Sequence, residues 1–313
     1  MSLNSFCHVP VLLDECMSAL AVREGGVYVD CTAGGGGHSS EIARRMGKTG
    51  RLICLDRDDE AIAACRERLA KITENFTVLK SNFESLGDVL DELGIEAVDG
   101  VLWDLGVSSR QLDTPERGFS YMASAPLDMR MDVSAPLTAA DVVNGYDEAS
   151  LAKIIREYGE EKFAKQIARR IALRRSEKPI ETTGELVDVI REAIPKGAQK
   201  GEAQHPAKRT FQAIRIEVNG ELDAIEPSIR AAVDRLSPKG RAAVISFHSL
   251  EDRIVKRVFR ELENPCTCPP DFPVCVCGKK PLVKTLKDLT ASERELADNP
   301  RARSARLRTA EKL

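Results

Sequence analysis

The chain has 313 residues, 42% hydrophobic and 30% charged, a globular composition long enough for two domains or for one large domain with an insertion. A net charge of −3 confines nucleic-acid binding to local basic patches, and 4% aromatics exclude a broad stacking platform for single strands. No run of about 18 apolar residues offers a membrane span. Asp14 and Glu15 interrupt the apolar N-terminal run and argue against a signal peptide, so the nine cysteines read as reduced thiols or metal ligands of a cytoplasmic protein.

His8, ahead of Pro10, reads as a surface residue before a proline turn, and a helix is expected through residues 16–20. Val27-Tyr-Val-Asp30 then forms a short buried strand, followed by Gly34-Gly-Gly-Gly37 and a helix capped by Ser39 or Ser40. Strand, glycine turn and helix N-terminus make a nucleotide-type pocket, because glycines let the backbone approach a ligand closely. No Gly-Lys-Ser or Gly-Lys-Thr follows, so this is not a Walker loop. The third glycine of a dinucleotide fingerprint is replaced by Ser39. An acid, three spacers and Gly-x-Gly, here Asp30 with Gly34 and Gly36, fit the first motif of enzymes that use S-adenosylmethionine (SAM).

A second strand, Arg51-Leu-Ile-Cys-Leu-Asp56, ends in a carboxylate 22 residues after Gly34, the offset of a ribose-binding acid. Asp58 or Asp59 caps the next helix. The third strand spans residues 76–79, and Phe83 just beyond it is placed either against an adenine or in the core. The fourth strand carries Asp104 at its exit, where ligands sit in open α/β sheets. The order β-α-β-α-β-α-β predicts a doubly wound parallel sheet.

The alternation then stops. From about residue 111 to 208 helical patterns recur near 138–144, 148–158, 162–175 and 183–194, predicting an inserted helical domain over 112–208 within a discontinuous domain of 1–111 and 209–313. Lys162, Lys165, Arg169, Arg170, Arg174 and Arg175 share one segment, which reads either as a phosphate-binding face or as a solvated one. Helices are expected over 210–218 and 222–236, a turn at Pro238-Lys-Gly240, and a fifth strand over 241–247. His248 and Asp252 open the following helix. Alternating Ala305, Leu307 and Thr309 predict a final edge strand.

Cys266-x-Cys268 and Cys275-x-Cys277 place four thiols within 12 residues, with six residues between the pairs. They read either as a tetrahedral structural zinc site or as reduced cysteines in a proline-rich loop.

Nine stretches together resemble the bacterial 16S rRNA cytosine-N4 methyltransferases of the MraW (RsmH) type. They are His8-Val-Pro-Val-Leu-Leu13, the turn from Asp30 to Ser39, Asp104-Leu-Gly-Val-Ser-Ser-Arg-Gln111-Leu-Asp113, Arg117-Gly-Phe-Ser120, Pro126-Leu-Asp-Met-Arg-Met131, Tyr158-Gly-Glu-Glu161, the run from His205 to Ile216, Ile245-Ser-Phe-His-Ser-Leu-Glu-Asp252 and Asn299-Pro-Arg-Ala-Arg-Ser304. The resemblance covers nearly the whole chain. It implies a class I SAM methyltransferase, Rossmann-like, with an inserted all-helical domain that recognises substrate. It implies SAM contacts at Gly36, Gly37, His38, Asp56, Phe83, Asp104 and Gln111. The substrate it implies is a cytidine in the decoding centre of 16S rRNA, on the assembled small ribosomal subunit. The expected partners are that rRNA and, in a homodimer, a second copy of the chain; no membrane is expected.

Methyl transfer from a sulfonium is an in-line displacement with an activated leaving group, so the protein mainly positions the acceptor. Cytosine N4 is a weak nucleophile, and Asp104 is the expected acceptor of its proton, with His248 or Asp252 as the alternative. Amino methyltransferases carry Asp-Pro-Pro-Tyr or Asn-Pro-Pro-Tyr at this exit, whereas this chain has Asp104-Leu-Gly-Val. Methylation of another RNA, a protein or a small molecule, a nicotinamide oxidoreductase, and a non-catalytic rRNA-binding assembly factor are the competing readings.

Overall fold

The computed structural model describes residues 10–201, 205–269, 274 and 276–313, and the side chains of 199–201 are not among what it describes. His8 therefore lies outside the described residues. The chain separates into two compact units, Met1–Gly106 with Leu222–Leu313, and Val107–Glu221.

The first unit opens with α1 (Leu13–Leu20), β1 (Val27–Asp30), α2 (Gly37–Met46), β2 (Arg51–Asp56), α3 (Asp59–Leu69), β3 (Phe76–Lys80), α4 (Leu86–Glu92) and β4 (Val98–Asp104). The second unit holds α5 (Ser109–Asp113), α6 (Ala139–Gly145), α7 (Glu148–Glu157), α8 (Ala164–Glu177), α9 (Thr183–Ala193), α10 (Lys196–Gly201) and α11 (Lys208–Asn219). The chain then returns to the first unit through α12 (Ile225–Arg235), β5 (Leu236–Ser246), α13 (Ser249–Glu263), β6 (Val283–Thr285), β7 (Leu289–Thr290), α14 (Glu293–Asp298) and β8 (Arg306–Lys312).

Among the described residues the strands form one sheet in the order β3-β2-β1-β4-β5-β8-β6, with β7 also paired to β8. β1 to β5 are parallel to their neighbours, and β8 runs antiparallel to β5. Both faces are covered, as short β-branched strands require. Val29, Ile53 and Leu55 enter one core cluster with Trp103 and Ile229, whereas Tyr28, Leu52 and Cys54 enter the other with Ile42 and Leu69. This is the Rossmann-like, doubly wound α/β sheet expected from the sequence, with an antiparallel strand added beside β5. The strand order reverses between β1 and β4, which creates a crevice at their C-terminal ends.

Two expectations are corrected here. The final strand is interior, because β6 and β7 pair along its outer side. The turn expected at Pro238-Lys-Gly240 is absorbed into β5. There Lys239 takes φ 67° and the pairing with β4 shifts register between Val98 and Gly100.

The second unit is helical, and its only β pairing among the described residues is a Pro126–Thr182 bridge. Its helix starts are written in the sequence: Thr138 with Asp141, and Thr182 with Glu185, form capping boxes, and Asp147 caps α7. The unit extends past the expected boundaries of 112 and 208. Phe211, Ile214 and Val218 of α11 enter its core beside Leu151, Ile167 and Ile190.

Candidate active site

Three neighbouring strands of the first unit end in carboxylates: Asp30 on β1, Asp56 on β2 and Asp104 on β4. The glycine turn leaves β1 at this edge. Gly34 and Gly36 take φ 50° and 78°, left-handed values that a side chain would disfavour. The turn is fastened to its surroundings by Ala33 N–H to the Leu55 carbonyl (3.0 Å) and Gly36 N–H to the Ala33 carbonyl (2.8 Å). Gly34 N–H donates to Asp56 Oδ2 at 2.8 Å, so the second acid grips the turn directly.

Asp30 lies beneath the turn and is 1% exposed. Its carboxylate accepts the Ser39 hydroxyl at 2.5 Å and the Thr32 N–H at 3.2 Å. Burial pushes its pKa up to about 6, against the lowering by Ser39. Ser39 is therefore the partner of Asp30 inside α2, and the expected cap at Ser39 or Ser40 is corrected. The helix begins at Gly37 behind a left-handed Gly36, with no side-chain cap bond. A third glycine at position 39 would remove the hydroxyl that Asp30 needs.

Asp56 also accepts the Asp58 N–H at 2.9 Å, and burial raises its pKa. Asp58 is the cap of α3, accepting the Glu60 N–H at 3.0 Å. Phe83, just past β3, is half-buried and packs against the core.

Asp104 N–H donates to Thr32 Oγ1 at 2.6 Å, which ties the end of β4 to the start of the turn. Its Oδ1 is buried with no hydrogen-bond partner among the described residues. Its Oδ2 lies 3.7 Å from His38 Nδ1. Burial pushes the Asp104 pKa up to about 6; His38 opposes the rise, and Asp30 and Glu251 add to it. His38 itself is buried, with Nε2 2.9 Å from the Val11 carbonyl oxygen.

The loop after β5 is organised by Glu251, which is 1% exposed and escaped the sequence reading. Its Oε2 accepts the Phe247 N–H at 2.7 Å and the His248 N–H at 3.2 Å. The signal was present in the spacing His248-x-x-Glu251, a capping box with histidine as the cap. Asp252 is occupied by Arg308, which donates from Nε at 2.6 Å and from Nη2 at 3.1 Å. That pairing holds the Asp252 carboxyl below its ordinary range despite partial burial.

The structure thus brings Asp30, Gly34, Gly36, Gly37, His38, Asp56 and Asp104 to one sheet edge. Gln111 belongs to the second unit, where it completes a capping box with Ser108 at the start of α5. Cys266, Cys268 and Cys277 gather on the segment between α13 and β6, and Cys275 lies outside the described residues.

The family model described as the MraW methylase family matches residues 5–313. The chain belongs to the MraW methylase family. Its relatives include a protein of Brevibacillus brevis, 56% identical over 315 residues and covering 100% of both chains, and one of Symbiobacterium thermophilum, 57% identical and covering 99% and 98%. A third, from Clostridium botulinum, is 55% identical and covers 98% of this chain and 99% of its own. Each carries the name ribosomal RNA small subunit methyltransferase H. In this MraW methylase, the acid-ended strands and the glycine turn lie together at the C-terminal edge of the sheet, where open α/β sheets bind ligands. No helix among its described residues is long and apolar enough to cross a membrane.

Proposed function

We propose that this MraW methylase is a cytoplasmic enzyme that uses SAM to methylate N4 of a cytidine in the decoding centre of 16S rRNA, acting on the small ribosomal subunit. The relatives' shared name supports the substrate class, and the sheet edge supports the donor. A Cβ built on Gly35 meets nothing within 4 Å, so one side of the turn is open. Left-handed Gly34 and Gly36 shape that side, and the partnerless Asp104 Oδ1 gives it an anionic end. These features fit a cationic nucleoside. Gly34, Gly36, Gly37 and His38 would hold it with Asp56 on the ribose and Phe83 on the adenine. Asp30 would act through the turn, and Gln111 is carried as a contact by the family resemblance.

Bound SAM supplies a methyl group on a sulfonium, already activated toward displacement. The chain must hold N4 in line and accept its proton, because the N4 lone pair is delocalised into the ring. Asp104 is the observation that carries this role. It is a carboxylate with spare acceptor capacity, poised by burial near pH 6, at the mouth of the crevice. Asp252 is consumed by Arg308. His248 is taken up as the cap of α13, with Nε2 3.1 Å from the Glu251 carboxylate. A single-stranded rRNA loop lowers the cost of unstacking the cytosine.

The test is mass spectrometry of 16S rRNA from a strain lacking this protein. Loss of N4-methylcytidine from the decoding centre, restored by the wild-type chain and not by Asp104→Ala, is expected. Persistence of the modified base in the deletion strain overturns the proposal.

A further inference from the structure

The segment between α13 and β6 is fastened at its base and apolar at its exposed end. Thr285 N and Oγ1 each donate to the Glu263 carboxylate at 2.8 Å, and Leu282 N–H donates to the Leu262 carbonyl at 2.9 Å. Further out, Val274 and Val276 are 70% and 73% exposed, so the described residues of this stretch contribute no apolar core. Small segments without a core need a covalent or metal staple to hold one shape.

The sulfurs of Cys266, Cys268 and Cys277 lie within 4.8 Å of one another, and Cys277 Sγ is 3.8 Å from Cys266 Sγ. A disulfide would need about 2.05 Å. Tetrahedral zinc with Zn–S bonds of about 2.3 Å has sulfurs about 3.8 Å apart along each edge. Val276 N–H donates to Cys268 Sγ at 3.3 Å, the kind of backbone donor that stabilises a thiolate and orients it. Gly278 follows Cys277 with φ 67°, a left-handed turn that carries the chain away from the cluster.

We propose that Cys266, Cys268 and Cys277 bind a zinc ion that fixes this segment. Thiolate ligands select zinc over the hard cations magnesium and calcium. Cys275 is the sequence's fourth thiol, and the site is argued from the other three because Cys275 lies outside the described residues. Binding requires deprotonated thiols, so it releases protons and weakens as pH falls.

The experiment measures metal in the purified full chain by inductively coupled plasma mass spectrometry, then replaces zinc with cobalt(II) and records the visible spectrum. About one zinc per chain and tetrahedral cobalt–thiolate bands are expected, with at least tenfold weaker binding in Cys266→Ser and in Cys277→Ser. A chelator titration of the wild-type chain keeps the test independent of variant folding. Zinc should leave while the circular dichroism of the sheet persists. Absence of metal, a Cys266–Cys277 disulfide in the intact mass, or full zinc retention by both variants overturns the proposal.

Discussion

His38 Nδ1 faces the Asp104 carboxylate at 3.7 Å while His38 Nε2 lies 2.9 Å from the Val11 carbonyl oxygen. A carbonyl only accepts, so Nε2 donates to it, and Nδ1 is the ring nitrogen turned toward Asp104. Asp104 must be ionised to accept a proton, and its pKa is about 6. The rate on rRNA should therefore fall as pH drops below about 6 and level off above it. His38 is the group that holds the Asp104 pKa down, so His38→Ala should move this acidic limb to higher pH. Methyl-transfer rates from pH 5 to 8 check both outcomes. Asp104→Asn should reduce the rate by about 10²-fold or more and abolish the limb.

The same acids govern stability. Asp30 and Asp104 both have pKa values raised from 3.8 to about 6, so the native chain binds their protons more tightly than the unfolded chain. Their contribution is fully present below pH 3.8 and is lost as pH rises through about 6. Between about pH 4 and 6 each can lower stability by up to about 1.4 kcal/mol per pH unit. Urea unfolding of the ligand-free chain at a series of pH values should show Asp104→Asn with a flatter profile than wild type across this window.

The two middle glycines of the turn should separate folding from binding. Gly36 is left-handed, and a Cβ there would sit 3.2 Å from Cys65 Sγ and 3.3 Å from its Cα. Gly36→Ala should cost about 1–2 kcal/mol from the backbone alone. Gly35→Ala meets nothing within 4 Å, so the melting temperature should hold while SAM affinity falls about tenfold or more. Calorimetric SAM titration together with thermal melting distinguishes the two.

Helix α8 retains part of its expected basic face. Arg170 Nε donates to Glu192 at 2.8 Å and Arg175 Nη1 to the Val143 carbonyl at 2.6 Å, so these two are spent on the second unit itself. Lys165 and Arg169 are exposed on the same helix. The double change Lys165→Gln with Arg169→Gln should weaken binding to small subunits and reduce the salt slope by about 1–2. An unchanged slope would assign these residues to solvent.

The sheet was legible because β1 to β4 are short apolar runs that each precede a turn or a capped helix, and Asp58 announced its cap by position. The helical insertion was legible from its apolar period and from Thr138, Asp147 and Thr182. Other features depend on partners distant in sequence. The interior place of β8 requires β6, whose three residues carry almost no pattern of their own. Ser39 could be read as a missing glycine, but its bond to Asp30 appears only once α2 folds over β1. Gln111 carried no local sign of ligand contact, and its visible role is the capping box with Ser108. Asp252 reads as a candidate base in the sequence because its partner Arg308 lies 56 residues away.

The central claim is that Asp104 serves methyl transfer to cytosine N4 of small-subunit rRNA. Its most direct test incubates the purified chain with isotope-labelled SAM and small subunits from a strain lacking the modification, then digests the rRNA and quantifies labelled nucleosides. The account predicts label in N4-methylcytidine at a single decoding-centre position, and its loss with Asp104→Ala at unchanged fold. Label in another nucleoside or in ribosomal protein, or undiminished transfer by Asp104→Ala, would contradict it.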